Sequence, residues 1–337
     1  MIAGCGTVSG AHYLLSPAPL LHPWQARIAA WMKAALALTL SLFALTGLAA
    51  TAAPHRLASD AAIDAAERAP LGSFAESGHW NAPYAPFNII GSIHYVGTAG
   101  VSAFLITTPK GHILIDGVLA QSVPQIVSNI RALGFDIRDV KYLLNSHAHI
   151  DHAGGLAGLQ RISGAMMVAS AADRKTLEAG RIGFGPSASM SFPPIRVDRI
   201  VGDRDAVKLG GVTLTAHMTP GHTQGCTSWS MPVKGADGKS HTAFFHCSAT
   251  VAGQSLVPES WPGMIAAYRA TFAKVRRLSA DVFLGNHNNF FDLEAKRARQ
   301  VAGNANAFVD QGEIQRFNAE MERAFEAELV RQRAASR

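Results

Sequence analysis

Residues 143–155 read LLNSHAHIDHAGG, which puts three histidines and an aspartate within six positions, directly after an apolar run and directly before a Gly-Gly pair. The preceding VKYLLN predicts a strand, and Gly154 and Gly155 open a helical run to about Ile162. His147, His149, Asp151 and His152 then leave the C-terminal end of a strand, where open mixed sheets commonly place their chemistry. Spacing i, i+2 sends His147 and His149 to one side of an extended segment, and the turn into the helix aims Asp151 and His152 at a second point nearby. One run can therefore serve two metals. Imidazole and carboxylate donors without thiolate suit zinc, with iron and manganese as alternatives. The competing reading is a solvated histidine-rich loop, but this spacing between a strand and a glycine-started helix favours metal.

A catalytic zinc needs about three protein donors, so further ligands are required. His222 in TPGHTQG follows the strand-like VTLTAHM, and His287 in FLGNHNN ends another strand. Both occupy strand ends, as His147 does. His94, His112, His217, His241 and His246 lack that context and read as structural or exposed.

The surrounding pattern is α/β. FNIIGSIHYVGT and SAFLITTPKGHILIDG read as a strand meander around Pro109-Lys110-Gly111, SVPQIVSNIRALGF as a helix, and AMMVAS as a strand following the histidine run. From Ala172 to Arg199 the pattern fades into Gly, Pro and Ser, which reads as one long loop, and long loops in compact folds are often functional. Beyond it come a hairpin, a helix from about Pro262 to Leu278, the strand DVFLGNH, and helical runs over 293–302 and 313–331. Two halves of similar content suggest two mixed sheets faced by helices on both sides.

The chain has 337 residues, 48% hydrophobic and 16% charged, enough to bury a full core. Its net charge of +6 is scattered without a basic run or an aromatic-interleaved groove, which argues against a nucleic-acid partner. Near the N-terminus, Lys33 precedes an uncharged apolar run from Ala34 to about Ala50 and then small residues. This reads as a secretory signal cleaved near Ala50-Thr51-Ala52. Residues 1–52 are thus expected to be removed, leaving 53–337 as a single domain without a stable membrane anchor, periplasmic or secreted. Met32-Lys33 makes a compact signal start of its own, so residues 1–31 read as an upstream extension. The IAGC around Cys5 lacks the preceding apolar segment that lipid attachment needs.

Cys226 and Cys247 remain after that cleavage, and an exported pair invites a disulfide. CTSWSMPV and HTAFFHCSATV flank the turn KGADGKS. Pairing Pro232 with His241 sets Cys226 opposite Cys247, within bridging distance in an antiparallel ladder.

The HxHxDH run followed by isolated histidines resembles the signature of the metallo-β-lactamase superfamily over about 88–302, and within it the subclass B3 enzymes. The resemblance implies a four-layer αβ/βα sandwich of two mixed β-sheets flanked by helices. It also implies two Zn2+ ions, one held by His147, His149 and His222, the other by Asp151, His152 and His287. Asp116 in LIDG matches an aspartate that orients such sites. Related thioesterases, lactonases and phosphoesterases place a bridging aspartate on the strand that here reads FFHCSATVAG, without an acid. Subclass B3 enzymes look like this, using small hydroxyl residues to bind the substrate carboxylate, which points to Ser248 and Thr250. The activity implied is zinc-dependent hydrolysis of the β-lactam amide bond in penicillins, cephalosporins and carbapenems by a metal-bound hydroxide, with Asp151 steering the proton and no serine nucleophile. A monomer with a small-molecule substrate, conferring β-lactam resistance, is expected. An exported dinuclear zinc lactonase is the alternative. Subclasses B1 and B2 take a cysteine ligand from the region of Cys247 but lack a histidine where His152 stands, so Cys247 is expected in the bridge. The pocket walls are expected from the loop 183–195 and from Val257 to Trp261.

Overall fold

A computed structural model describes residues 57–72 and 79–336; the expected signal segment, Met32 and Cys5 lie outside them. Seven strands form the first sheet in chain order: β1 (Phe87–Ile90), β2 (Ile93–Tyr95), β3 (Phe104–Thr108), β4 (Gly111–Ile115), β5 (Val140–Leu144), β6 (Met166–Ser170) and β7 (Arg199–Val201). The first four are an antiparallel meander, and β4 to β7 run parallel. A second sheet has the order β12-β11-β10-β9-β8, built from β8 (Ala206–Leu209), β9 (Val212–Met218), β10 (Thr227–Lys234), β11 (Ser240–His246) and β12 (Val282–Gly285). Only its β11–β12 pair is parallel.

Side-chain alternation along the strands explains the layering, because successive residues of a strand face opposite sides. Phe104, Ile106, Ile113, Ile115 and Leu144 join Ala216, Trp229 and Met231 in a core between the sheets. Their neighbours Leu105, Leu114 and Leu143 pack instead with Ile126 and Ile130 of α2 (Val123–Ala132) and Leu156 and Leu159 of α4 (Leu156–Ser163). Both faces of the first sheet are thus buried, which requires a helical layer outside it. On the far side, Phe317 of α8 (Glu313–Ala335) lies 5.0 Å from Phe283 and 5.4 Å from His246 between ring centres. Tyr268 and Phe272 of α6 (Met264–Val275) pack against Phe325 and Leu329 of α8, with α7 (Leu293–Val301) between the two in the chain. The result is the expected α/β sandwich of two mixed sheets flanked by helices.

Before the first strand lies a helix, α1 (Asp60–Arg68), capped by Ser59 and anchored by buried Ile63. Three local expectations need correction. The expected loop from Ala172 begins as α5 (Ala171–Ala179), whose N-cap Ser170 accepts a hydrogen bond from Asp173 N at 3.2 Å. Residues 150–153, expected as turn, form a helical turn, α3 (Ile150–Ala153), that carries Asp151 and His152. In the β10–β11 hairpin Pro232 pairs with Thr242, one residue away from the expected His241. The cause is the turn: Gly235 N donates to Lys239 O at 2.9 Å and Gly238 N to Gly235 O at 3.0 Å, with Gly238 at φ +75°. That is a three-residue loop with glycine in the left-handed position, which shifts the register by one.

The disulfide nevertheless forms. Cys226 and Cys247 are bonded with their Cα atoms 5.8 Å apart, just beyond the last ladder pair, Trp229 with Phe245. Among the described residues no helix is long and apolar enough to cross a membrane.

Candidate metal centre

Strand direction concentrates the chemistry at one edge of the sandwich. β4, β5 and β6 run parallel, so their C-terminal ends deliver Asp116, the Asn145–His149 segment and α5 side by side. In the second sheet β9, β11 and β12 share a direction, and their ends deliver His222, Cys247 to Thr250, and His287. The two edges meet where Ser102 N donates to Asn286 O at 2.9 Å and Val101 bridges to His287.

His147, His149 and His222 converge as one group. Their ring centres are 4.8 Å (147 to 149), 4.6 Å (147 to 222) and 4.6 Å (149 to 222) apart, and His149 Nδ1 faces His222 Nε2 at 2.9 Å. His222 Nδ1 donates to Thr250 O at 2.7 Å, which leaves Nε2 as its free lone pair. His147 Nε2 is buried without a hydrogen-bond partner. Burial first, and the neighbouring imidazoles second, hold His147 and His222 well below the usual histidine range; burial likewise lowers His149 to about 4. Three neutral imidazoles with converging lone pairs, one of them otherwise an orphan, fit a metal ion.

Asp151, His152 and His287 form a second group. Asp151 Oδ2 is 3.1 Å from His152 Nε2 and 3.3 Å from His287 Nε2, and those two nitrogens are 3.3 Å apart. His287 Nδ1 donates to Gly100 O at 3.1 Å, fixing that ring. His152 Nδ1 lies 3.4 Å from Asp116 Oδ2. Asp116 is itself locked by Asn145 Nδ2 at 3.2 Å, Ser146 N at 2.7 Å and Ser146 Oγ at 2.6 Å, with its backbone at φ +63°. A carboxylate holding the far nitrogen of a ligand imidazole is the usual way such a ring is oriented. Burial opposes charge on both partners of the Asp151–His152 pair, yet their attraction prevails: Asp151 is held well below the carboxylate range and His152 is raised to about 10. Each group offers one donor atom per residue within 4.8 Å of the others. The rings of His147 and His152, 4.4 Å apart, join the two groups.

A third cluster, His147 with Cys226 and Cys247, has the proximity for metal but not the chemistry, because both sulfurs are used in the disulfide. Cys247 Sγ lies 3.6 Å from His147 Nδ1, so the bridge backs that ring.

The two groups open on a cavity of about 370 Å³ lined by His149, Asp151, His222 and His287 with Trp80, Ile150, Pro186, Ser187, Met190, Thr250, Ala252, Gln254, Asn289 and Phe290. A wider depression around Lys110, Phe135 and Asp136 contains none of these six residues. The loop 183–195 supplies wall residues as expected, but Val257 to Trp261 does not; Leu256 and Trp261 pack into the α6–α8 core instead. Thr250 faces the cavity, whereas Ser248 is buried behind it with Oγ 3.2 Å from Thr250 Oγ1. Sequence reasoning missed Trp80, Asn289, Phe290 and Tyr268. Tyr268 donates to the same Thr250 carbonyl that anchors His222, at 2.7 Å. Adjacency to His287 was a usable signal for Asn289 and Phe290; Trp80 lies in a stretch without periodicity.

Comparison with known proteins agrees with this geometry. Residues 96–236 match the family model of the metallo-β-lactamase superfamily. The crystal structure of BJP-1, a subclass B3 metallo-β-lactamase of Bradyrhizobium japonicum, is 40% identical, with 77% of this chain and 99% of that one covered at a TM-score of 0.72. A Cronobacter sakazakii metallo-β-lactamase with an HARLDQ motif, where this chain reads HAHIDH, is 42% identical over 78% of this chain and 100% of that one, TM-score 0.73. Native FEZ-1 metallo-β-lactamase from Legionella gormanii is 36% identical over 75% and 98%, TM-score 0.72. Curated relatives are more distant: a probable metallo-hydrolase of Burkholderia pseudomallei at 28% and an N-acyl homoserine lactonase of Agrobacterium fabrum at 29% identity, covering 39% and 38% of this chain. The matched stretch spans only 48% and 58% of those two proteins.

Proposed function

Because this chain belongs to the metallo-β-lactamase superfamily, among its subclass B3 members, we propose that it is a dinuclear zinc β-lactamase that opens the amide bond of penicillins, cephalosporins and carbapenems. The observation that carries the reading is the pair of complete donor groups opening on a single cavity. His147, His149 and His222 would hold one Zn2+, and Asp151, His152 and His287 the other; bound there, zinc would supply an acidified water as nucleophile and Lewis acidity at the carbonyl.

The chain's own residues do the rest. Asp116 orients His152, and the carbonyls of Thr250 and Gly100 orient His222 and His287, so each ring presents a fixed lone pair. Asp151 lines the cavity, and its carboxylate holds and moves the proton of the attacking water. Among the described residues the lining contains no lysine or arginine, so hydroxyl and amide donors meet a substrate carboxylate. Thr250 makes that contact, and Ser248 acts through it by holding the Thr250 hydroxyl. Trp80, Ile150, Met190 and Phe290 give the remaining substrate an apolar wall. No serine attacks, and no covalent enzyme intermediate forms. We place the mature protein, as a monomer, in the periplasm or outside the cell, after removal of residues 1–52; there it would confer β-lactam resistance.

The lactonase likeness of the curated relatives supports a second reading, an exported zinc lactonase. The run FFHCSATVAG, which has no acid to bridge two metals, favours the first. Turnover of a penicillin and a carbapenem, measured beside a homoserine lactone with and without chelator, separates them. Chelator-sensitive lactone turnover without β-lactam turnover would overturn the proposal.

A further inference from the structure

We infer that Asp173 is a positioning residue: by tying the loop of His147 and His149 to the loop of His222, it sets how tightly the three-histidine group holds its metal. The inference rests on the assignment of those three histidines to one ion.

The two loops come from different sheets, one leaving β5 and the other joining β9 to β10. Asp173 stands between them, buried at 4% exposure. Its Oδ2 accepts from Ala148 N at 3.1 Å and from Thr223 Oγ1 at 3.2 Å, and its Oδ1 accepts from Gly225 N at 3.1 Å. Ala148 is the residue between His147 and His149, and Thr223 follows His222, so the carboxylate grips residues next to the ligands on both loops.

Asp173 is the third residue of α5, where an acid ordinarily folds back to the N–H of the N-cap. Here both oxygens reach other segments instead, while its own N–H satisfies Ser170 Oγ. The approach is close enough to constrain the partner. A Cβ on Gly225 would lie 2.4 Å from Asp173 Cγ and 2.3 Å from Ser170 Oγ, so only glycine fits. One further backbone tie crosses the same seam, Thr227 N to Ser146 O at 2.8 Å, at the first residue of β10. Asp173 is the tie beside the ligands.

An isosteric asparagine cannot replace it, because its NH2 must face at least one of the donors now bound and leave it without an acceptor. The test is cobalt(II) affinity, measured by chelator competition with the visible spectrum reporting coordination, in two single-group backgrounds. In a His287→Ala background, which keeps the three-histidine group complete, Asp173→Asn should weaken cobalt binding by about 10- to 100-fold. In a His222→Ala background, which keeps Asp151, His152 and His287 complete, it should change nothing. Thr223→Val, which deletes one of the three bonds, should give a few-fold loss in the first background only; it carries the test if Asp173→Asn does not fold. A merely structural role would lower the melting temperature of the metal-free protein and leave both affinities unchanged, or lower both equally. Either result overturns the inference while leaving the ligand assignment standing. Wild-type protein that binds no cobalt would overturn the ligand assignment and the inference together.

Discussion

Replacing both Cys226 and Cys247 by alanine should destabilise the protein by about 3 kcal/mol without removing any metal. The bridge closes a loop with a sequence separation of 21 residues. The unfolded-chain entropy that such a closure removes amounts to about 3 kcal/mol at 25 °C. Both residues are fully buried, so the alanines also leave a small void whose cost adds to that figure. For a domain of this size the midpoint of thermal unfolding should fall by roughly 5 °C. Denaturant titration of metal-free protein, with and without a reductant, measures the change. Reductant should weaken the wild type, once unfolding exposes the buried bridge, and leave the double variant unaffected. Metal content is the second readout, because Cys247 Sγ lies only 3.6 Å from His147 Nδ1. A drop well under 1 kcal/mol would refute the brace. Loss of one metal equivalent would refute the assignment of these sulfurs and point to a thiolate ligand.

Asp116→Asn should turn an NH2 toward Ser146 Oγ or His152 Nδ1, releasing the His152 ring; metal affinity of the Asp151–His152–His287 group should fall by about 10- to 100-fold, read by chelator competition, with the three-histidine group unaffected. The pH dependence of loading should also differ between the groups. His152 is raised from 6.5 to about 10 by Asp151 and Asp116 against burial, so without metal its proton stabilises the fold fully below pH 6.5, and that contribution is lost as pH rises through 10. Metal must displace the same proton, so affinity at this group should rise about tenfold per pH unit from roughly 7 to 10 and then level. The three-histidine group, already neutral, should stay flat over that window; equal slopes in isothermal titrations would refute the assignment of charge.

The parts of the fold that could be read directly were those where one physical signal acts alone. β3, β4 and β5 were legible as strands because each is a short apolar run bounded by turn residues, buried on both faces, and the histidine candidates follow because strand ends carry them. α5 was missed because its nine residues have only Leu177 and Asp173 buried and a Gly- and Pro-rich tail follows, so no apolar stripe announces it. Ser170 with Asp173 three residues later was the available sign, a capping pattern at the end of a strand. The hairpin register was off by one because two apolar runs do not specify loop length; that depended on Gly238 taking a left-handed conformation. Cavity walls from Trp80 and Gln254 are products of tertiary packing, with no local pattern to betray them.

The division of donors between the sheets has a consequence for timing. The first half of the chain contributes His147, His149, Asp151 and His152, and the second contributes His222 and His287, so neither half alone completes either group. A nascent chain that has folded only its first sheet offers an ion two histidines, or one histidine and an aspartate. Full coordination waits until β12 is in place and its end has met the loop after β2. Metal uptake is thereby a late checkpoint in the life of the molecule: an ion retained against a chelator certifies that both halves have been made and joined.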